Sequence, residues 1–133
     1  NKNELEAIDK SKLLNFLSSK IAERMRLAST ENKLFIERQF IMGVKASEVN
    51  KQMKSDELFL IQGIIDVYFE EDDGLVLLDY KTDKVGHKHG EETLIKRYSV
   101  QLDYYKKALE QLTGKKVKES IIYSLELGKE VKL

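Results

Sequence analysis

GIIDVYFEEDDGLVLLDYK, residues 63–81, contains two apolar runs separated by acidic residues. β-Branched and aromatic side chains are frequent in and around both runs, and they predict strands over residues 57–70 and 75–82. Between them lies Glu71-Asp72-Asp73-Gly74, and an Asp-Gly pair between apolar runs is a strong hairpin signal. This stretch therefore predicts an antiparallel hairpin, around which the rest of the chain has to fold.

The register of the hairpin determines which charged side chains share a face. Asp79 and Lys81 lie two residues apart, so both point to the same face of the second strand. If residues 73–74 form the loop, Asp66 pairs with Lys81. If residues 72–73 form the loop, Asp66 pairs with Asp79. Directly paired residues share a face, so either register brings Asp66 to the face of Asp79 and Lys81.

Two carboxylates and an ammonium among apolar strand residues are costly to bury unless something neutralises the acids. A divalent cation does so, and Mg²⁺ prefers one or two carboxylates, a backbone carbonyl and several waters. The candidate ligands are Asp66, Asp79 and the backbone carbonyl of Tyr80. A bound cation polarises a phosphate oxygen and lowers the pKa of a bound water, while Lys81 orients that water or offsets transition-state charge. A lone Asp-x-Lys sequence on a strand is common, so the interpretation as a metal site depends on Asp66 lying beside Asp79 and Lys81.

Hydrophobic periodicity predicts the remaining elements. Helical spacing predicts a helix over residues 11–28, capped by Asp9 or Ser11, and a second helix over residues 91–112, stopped by Gly114. The apolar side of the first helix comprises Leu13, Leu14, Leu17, Ile21 and Met25, and that of the second includes Tyr98 and Tyr105. The other predicted elements are a strand at 34–43, a loop or short turn at 44–55, a polar loop from 82 to 90, a strand at 120–125, and a terminal segment, 130–133, that pairs as a ribbon.

The predicted order of elements is helix, strand, strand, strand, helix, strand. A sheet that is apolar on both sides needs cover on both sides. No Pro, repeat or linker-like tract interrupts the chain. We therefore expect a single α/β domain over residues 1–133, with a small mixed β-sheet flanked by helices. On the first hairpin strand, one predicted face carries Ile61, Ile65, Val67 and Phe69, and the other carries Leu60, Ile64 and Tyr68.

Composition excludes several classes of function. Hydrophobic residues make up 41% of the chain and charged residues 35%, which is typical of a globular protein. The absence of Cys excludes a thiolate zinc site, an iron–sulfur cluster and a Cys nucleophile, and it agrees with a cytoplasmic location. No apolar run approaches the roughly 20 residues of a membrane span. The 23 basic and 23 acidic residues balance, so nucleic-acid binding would depend on local positive charge.

Three motifs in order resemble one enzyme family. Gly63-Ile64-Ile65-Asp66, Asp79-Tyr80-Lys81-Thr82-Asp83 and Gln101-Leu102-Asp103-Tyr104-Tyr105 are similar to the G-x-x-D, D-Y-K-T and Q-x-x-x-Y series of RecB-type nucleases. These belong to the PD-(D/E)XK superfamily, so the resemblance implies a restriction-endonuclease-like core. The likeness extends from about Leu34 to Leu125. The wording of the motifs is most similar to that of the C-terminal nuclease domains of AddA-type helicase–nuclease proteins. The absence of Cys argues against two other relatives, the AddB partner and a CRISPR-associated nuclease, which carry a four-Cys iron–sulfur cluster.

The resemblance also implies roles for individual residues. Asp66 and Asp79 correspond to metal ligands and Lys81 to the catalytic lysine, with Mg²⁺ as the cofactor and Mn²⁺ as a substitute. Gln101 and Tyr105 lie at i and i+4 on one side of a helix and correspond to residues at the edge of the site. Further candidates are Lys84, which forms a basic cluster with Lys88, Lys96 and Arg97, and Glu37, which precedes an apolar stretch as a Glu of this family does.

The activity implied by the resemblance is that of a metal-dependent DNA exonuclease or endonuclease. It would belong to an ATP-dependent helicase–nuclease that acts in DNA double-strand-break repair and recombination. The implied partners are DNA, single-stranded after unwinding, the helicase portion of the same polypeptide, and an AddB-type partner subunit; no membrane is involved. No G-x-x-x-x-G-K-[ST] phosphate loop occurs, so ATP would bind elsewhere in the parent protein. A non-catalytic DNA-binding or docking module and a stand-alone RecB-like nuclease stay open as alternatives.

One feature departs from the family pattern. RecB-type sites usually take another metal ligand from a His upstream of this core. The chain has only His87 and His89, which follow the Asp-Tyr-Lys motif in a polar loop and are typical of solvated residues. We therefore expect the chain to be a fragment that begins downstream of that His, and we expect its activity in isolation to suffer from the missing ligand.

Overall fold

A computed structural model describes residues 9–52 and 57–133, and it shows a mixed β-sheet flanked by helices. In chain order the elements are α1 (Lys10–Leu17), α2 (Lys20–Thr30), β1 (Leu34–Lys45), α3 (Ala46–Val49), β2 (Leu58–Glu71), β3 (Gly74–Lys81), α4 (Gly90–Thr113), β4 (Val117–Ser124) and β5 (Lys129–Lys132).

The five strands lie in the order β1-β2-β3-β4-β5. Neighbouring strands pair antiparallel, except that β3 and β4 are parallel. A parallel pair needs a crossover connection, and α4 supplies it between β3 and β4. The expected small mixed sheet with flanking helices is confirmed, and the terminal segment pairs with β4 as expected.

The β2–β3 hairpin adopts the second of the two registers that the sequence allows. Glu71 pairs with Gly74, so residues 72–73 form the loop. Continued along the strands, this register sets Asp66 opposite Asp79. The charged residues of the hairpin are therefore brought to neighbouring positions on adjacent strands.

Strand β2 separates from β3 at Asp66. The β2–β3 ladder ends with the pair Val67–Leu78, whereas β2 continues to pair with β1 as far as Leu58 and Lys45. The outer halves of β1 and β2 thus form a two-stranded ribbon that extends past the rest of the sheet. As a consequence, the last residues of β3 have no main-chain partner from β2 in the described ladder.

Ile65 and Val67, expected on one face of β2, lie on opposite faces, so that expectation is wrong. Ile65 packs in the buried cluster with α4, and Val67 packs in the cluster with α2. The alternation breaks at Asp66, where the β1–β2 ladder omits one pair. Across from Asp66 in β1, Glu37 has a left-handed backbone with φ 51°. A non-Gly residue rarely adopts this conformation, so residue type gave no sign of the break.

The predicted single helix over residues 11–28 is wrong, because α1 and α2 are separate helices. Ser19 divides them: its hydroxyl oxygen accepts a hydrogen bond from the N–H of Ala22 and its hydroxyl donates to the carbonyl of Phe16. Such a cap favours a new helix over continuation of the old one. The break turns Phe16 toward the sheet, against the ring of Tyr80. The residues expected on the buried side but found exposed are Leu13, Leu14 and Leu17.

Other element boundaries agree with the prediction or differ slightly from it. Asp9, rather than Ser11, caps α1 through its carboxylate. Helix α4 ends at the predicted cap, Gly114, and the last long strand begins at Val117, before the predicted start at 120. The predicted loop at 44–55 contains the end of β1 and α3, and residues 53–55 of it lie outside the described residues.

Two buried clusters cover the two faces of the sheet. One joins α4 to the sheet through residues such as Leu77 and Leu102, and the other joins α2 to the opposite face through Ile21 and Phe69. Among residues 9–52 and 57–133, the ribbon of β1 and β2 is covered on the α4 side only, so the expectation of cover on both faces is wrong for this part of the structure: Ile41, Leu60 and Ile64 are exposed. Within residues 9–52 and 57–133, no helix has the length and apolar character to span a bilayer.

A partly buried ion pair fastens α2 to the hairpin. Arg24 donates two hydrogen bonds to the carboxylate of Glu71, at 3.0 and 2.7 Å. These bonds are the main reason that the pKa of Glu71 is lowered from 4.5 to about 2, with Lys118 adding to the effect and burial opposing it. Glu71 therefore stays ionised in the folded state at pH values that would protonate it in the unfolded chain.

We expect Glu71→Gln to destabilise the domain by on the order of 2 kcal/mol at pH 7. The stabilisation from Glu71 is fully present above its unfolded pKa of 4.5 and is lost as the pH falls toward the folded value of about 2. The variant should therefore show a flatter loss of stability over that pH range, measured by urea unfolding at a series of pH values.

Glu31→Gln is the matched control, because Glu31 pairs with Lys33 at 3.5 Å and is 65% exposed. We expect it to change the free energy of unfolding by less than about 0.5 kcal/mol. Equal losses from the two substitutions would contradict the role given to the Arg24–Glu71 pair.

Candidate active site

Asp66 and Asp79 adjoin each other where β2 leaves β3. Asp79 is 3% exposed and Asp66 is half-buried. The pKa of Asp79 is raised from 3.8 to about 7, chiefly by burial and then by the neighbouring Asp66, against the opposing effect of Lys81. Two acids this close resist joint ionisation unless a positive charge lies between or beside them.

The carboxylate of Asp66 replaces a main-chain hydrogen bond that the β2–β3 ladder would have made. Its Oδ2 accepts a hydrogen bond from the N–H of Tyr80 at 3.0 Å. In a continued ladder, Tyr80 would have paired with Ile65. The N–H and C=O of a strand residue point to the same neighbouring strand, so the Tyr80 carbonyl also faces the side of β2. The hydrogen bond from Tyr80 thereby fixes the orientation of the Asp66 carboxylate.

Lys81 lies between the acids and α4. Its Nζ is 2.9 Å from Oδ2 of Asp79, and it donates a hydrogen bond to Oε1 of Gln101 at 3.2 Å. The contact with Asp79 has ion-pair distance without hydrogen-bond alignment. Oδ2 of Asp79 is buried and has no aligned hydrogen bond among the residues that the structure describes, so this ion pair compensates its charge there.

Tyr105 of α4 lies close to both acids. The pKa of its hydroxyl is raised by burial first, and then by the charges of Asp79 and Asp66. Its ring packs edge-to-face against Phe40, with centroids 5.3 Å apart. Gly63 lies against both rings: a Cβ there would be 3.0 Å from the Phe40 ring and 3.3 Å from the Tyr105 ring. Close packing against these two rings therefore explains why the first motif has a glycine at this position.

The structure thus brings together most of the predicted site residues from three separate elements. The group comprises Asp66 of β2, Asp79, Tyr80 and Lys81 of β3, and Gln101 and Tyr105 of α4.

Lys84 lies in the loop after β3 and is exposed. It is close enough to Glu126 to contribute to the lowered pKa of that carboxyl, for which Lys12 is the main cause. No contact in the described structure joins Lys84 to the acids of the site, so its role in binding DNA stays a prediction.

Glu37, His87 and His89 do not complete a metal site in the described residues. All three are exposed. Glu37 is opposite Asp66 in the strand register, yet within residues 9–52 and 57–133 no group of three or more His, Asp or Glu side chains converges. The interpretation of the two histidines as solvated loop residues agrees with their exposure.

Comparison with known proteins identifies the family. Residues 3–132 match the profile of the PD-(D/E)XK nuclease superfamily. The chain belongs to this superfamily. The expected restriction-endonuclease-like core and the resemblance to this family carried by the three motifs are thereby confirmed.

Curated relatives of this PD-(D/E)XK nuclease domain are the A subunits of ATP-dependent helicase/nucleases. The one from Lachnoclostridium phytofermentans is 39% identical over 97% of the chain, which spans 12% of that protein. The one from Clostridium novyi is 44% identical over 99% of the chain and 11% of its own length. The one from Alkaliphilus oremlandii is 42% identical over 98% of the chain and 11% of its own length. The chain therefore spans about a ninth of the length of the relatives it matches, and the expected likeness to AddA-type proteins is confirmed.

The oxygen atoms of the nuclease domain's site suit a hard divalent cation. Mg²⁺ prefers carboxylates and carbonyls and keeps several waters. The carboxylates of Asp66 and Asp79 and the carbonyl of Tyr80 supply such donors. A cation would give the buried Oδ2 of Asp79, which has no aligned hydrogen bond in the described structure, a second positive charge beside that of Lys81. The residues present therefore fit the metal that the family implies.

Tyr98 and Asp83 lie beside the site, and the sequence did not predict either of them as part of it. The Tyr98 ring centroid is 4.1 Å from Nζ of Lys81, and the Tyr98 hydroxyl donates to Oδ2 of Asp83 at 2.7 Å. Helical periodicity assigned Tyr98 only to an apolar stripe. Its spacing of three residues from Gln101 was the available signal, because i and i+3 share one side of a helix.

We expect Gly63→Ala to destabilise the nuclease domain by about 1–2 kcal/mol, because the added methyl group would displace the rings of Phe40 and Tyr105. Chemical unfolding at constant pH measures the change. Gly86→Ala is the matched control, since a Cβ there meets nothing within 4 Å, and we expect a change within about 0.5 kcal/mol. Indistinguishable stabilities of the two variants would show that Gly63 is not under packing constraint.

Proposed function

We propose that this domain hydrolyses phosphodiester bonds of DNA with the help of a divalent cation, Mg²⁺ or, as a substitute, Mn²⁺. The observation that carries the proposal is the adjoining pair of acids, Asp66 and Asp79, with the ammonium of Lys81 2.9 Å from Asp79. Stability does not account for such a group, because buried like charges are unfavourable. Membership of the PD-(D/E)XK nuclease superfamily supports the same function.

When bound to Asp66, Asp79 and the Tyr80 carbonyl, the cation would supply Lewis-acid activation of water and withdraw charge from the scissile phosphate. The protein's own groups set the remaining conditions. The Tyr80 N–H fixes the carboxylate of Asp66. Lys81 holds a positive charge beside the acids, where its ammonium can donate to the attacking water or to a phosphate oxygen. Gln101 accepts a hydrogen bond from the Lys81 ammonium through Oε1 and so limits where the ammonium lies.

The substrate we propose is single-stranded DNA. The relatives are named as helicase/nuclease subunits, and a helicase in the same polypeptide would deliver one separated strand to the site. We further propose a cytoplasmic role in double-strand-break repair and recombination, together with an AddB-type partner subunit. Phosphate contacts would come from exposed cations at the loop after β3 and the start of α4, namely Lys84, Lys88 and Lys96.

A third side-chain ligand is also part of the proposal. The described residues bring no histidine to the two acids. We propose that the ligand comes from another part of the full-length protein, as it does in RecB-type sites. The cleavage experiments below therefore use the full-length protein that contains this domain.

We expect Asp79→Asn to slow Mg²⁺-dependent cleavage of a single-stranded DNA oligonucleotide by at least about 10²-fold, because the site loses a charged ligand. The fold should not suffer. The raised pKa of Asp79 means that the stability it contributes is present below its unfolded value of 3.8 and is lost as the pH rises through about 7. At pH 8 the neutral variant should therefore be at least as resistant to urea as the wild type.

Asp103→Asn is the control for this substitution, since Asp103 is an exposed residue of α4 that pairs with Lys107 at 3.0 Å. We expect cleavage at the wild-type rate. Cleavage that survives Asp79→Asn would refute the assigned site. Loss of cleavage in both variants would show that the effect is not specific to Asp79.

Metal binding should depend on the same carboxylates. We expect Mn²⁺ to bind the full-length protein without nucleotide, and we expect Asp66→Asn to remove the heat of binding at this site in isothermal titration calorimetry, because one of two charged ligands is lost. The difference between wild type and variant isolates the nuclease site from other metal sites. Identical titrations would mean that Asp66 does not hold the cation.

A further inference from the structure

We infer that Tyr98 is a positioning residue for Lys81. Its ring holds the ammonium beside the two acids, and its hydroxyl ties the ring to Asp83 in the loop after β3. The inference rests on the proposed function, because it gives Tyr98 a part in that site. None of the three motifs includes Tyr98.

The position of the Lys81 ammonium is defined from several directions. Nζ lies 4.1 Å from the centroid of the Tyr98 ring, and it donates to Gln101 at 3.2 Å. A cation over an aromatic face is attracted by the ring quadrupole, and the attraction grows as water is excluded. The Lys81 side chain is only 18% exposed. The ring therefore contributes to holding the ammonium in a largely water-free position.

The ring of Tyr98 is itself anchored on its far side. Its hydroxyl donates to Oδ2 of Asp83 at 2.7 Å, and Nη1 of Arg97 donates to the same oxygen at 2.9 Å. The ring also packs against the buried cluster between α4 and the sheet. Movement of the ring away from Lys81 would break the bond to Asp83 and expose part of that cluster.

Lysine needs such support more than the other groups of the site do. Its four-carbon stem is flexible, and its ammonium can approach a partner from many directions. The 2.9 Å ion pair with Asp79 holds the ammonium on one side, and the ring of Tyr98 and the amide of Gln101 define its position on the side of α4. Both residues come from one side of α4 at i and i+3. A displacement of about 1 Å at a catalytic group can cost about 10²-fold in rate.

The test is single-turnover cleavage of a labelled single-stranded DNA oligonucleotide by the full-length protein with Mg²⁺. Tyr98→Leu removes the ring and the hydroxyl, and we expect the rate constant at saturating DNA to fall at least about tenfold. The DNA concentration that gives half the maximal rate should stay within about twofold, because Tyr98 acts on Lys81 rather than on DNA binding. Tyr98→Phe keeps the ring, and it should retain at least about a third of the wild-type rate constant.

Tyr104→Leu is the matched control. Tyr104 lies on the same helix, packs partly buried against the same cluster, and has Lys107 rather than Lys81 near its ring, with Nζ 5.7 Å from the centroid. We expect the rate constant to stay at the wild-type value. The inference is overturned if Tyr98→Leu cleaves as fast as the wild type, if Tyr104→Leu loses as much, or if Tyr98→Phe falls as far as Tyr98→Leu.

Asp79→Asn, measured in the same experiment, separates this inference from the proposed function. If Asp79→Asn still cleaves DNA, the proposed function fails whatever the Tyr98 variants do. If Asp79→Asn is inactive and Tyr98→Leu matches the wild type, only the inference about Tyr98 fails.

Discussion

The separation of β2 from β3 at Asp66 is the feature on which the candidate site depends. An unpaired stretch of a strand leaves buried N–H and C=O groups that must find other partners. The carboxylate of Asp66 provides one, because it accepts the Tyr80 N–H at 3.0 Å. This exchange of a main-chain acceptor for a side chain sets a carboxylate, rather than backbone, beside the buried Asp79.

The charges around Asp79 differ in kind from the charges elsewhere in the fold. Arg24 holds the pKa of Glu71 at about 2, so ionisation and folding favour each other there. At Asp79 burial and the neighbouring Asp66 raise the pKa to about 7, so ionisation and folding oppose each other. Groups perturbed by burial together with a specific charged neighbour are concentrated at functional sites. The domain thus has one set of charges that stabilises it and another that stability alone does not explain.

Helix α4 connects the packing of the domain to the chemistry of the site. It supplies much of the buried cluster on its side of the sheet, and the same turns of the helix present Gln101 and Tyr98 to the ammonium of Lys81. Tyr105 extends this side of the site and is confined by Phe40 and by the absence of a side chain at Gly63. Groups on rigid, well-packed elements are held more accurately than groups on loops. A site built this way needs little rearrangement within its own residues.

The sequence by itself determined the hairpin, the mixed α/β sheet and the choice of two acids and a lysine as the candidate site, because alternation, turn residues and motif order are local properties of the chain. Only the tertiary structure decided which hairpin register forms and where β2 leaves β3. The left-handed Glu37 and the reversal of faces at Asp66 depend on strand pairing, which residue types do not encode. Likewise Ser19 could have lain within one long helix, and Tyr98 belonged to an apolar stripe until the fold set it against Lys81. These features depend on contacts between residues far apart in the chain, and the periodicity of the sequence does not predict such contacts.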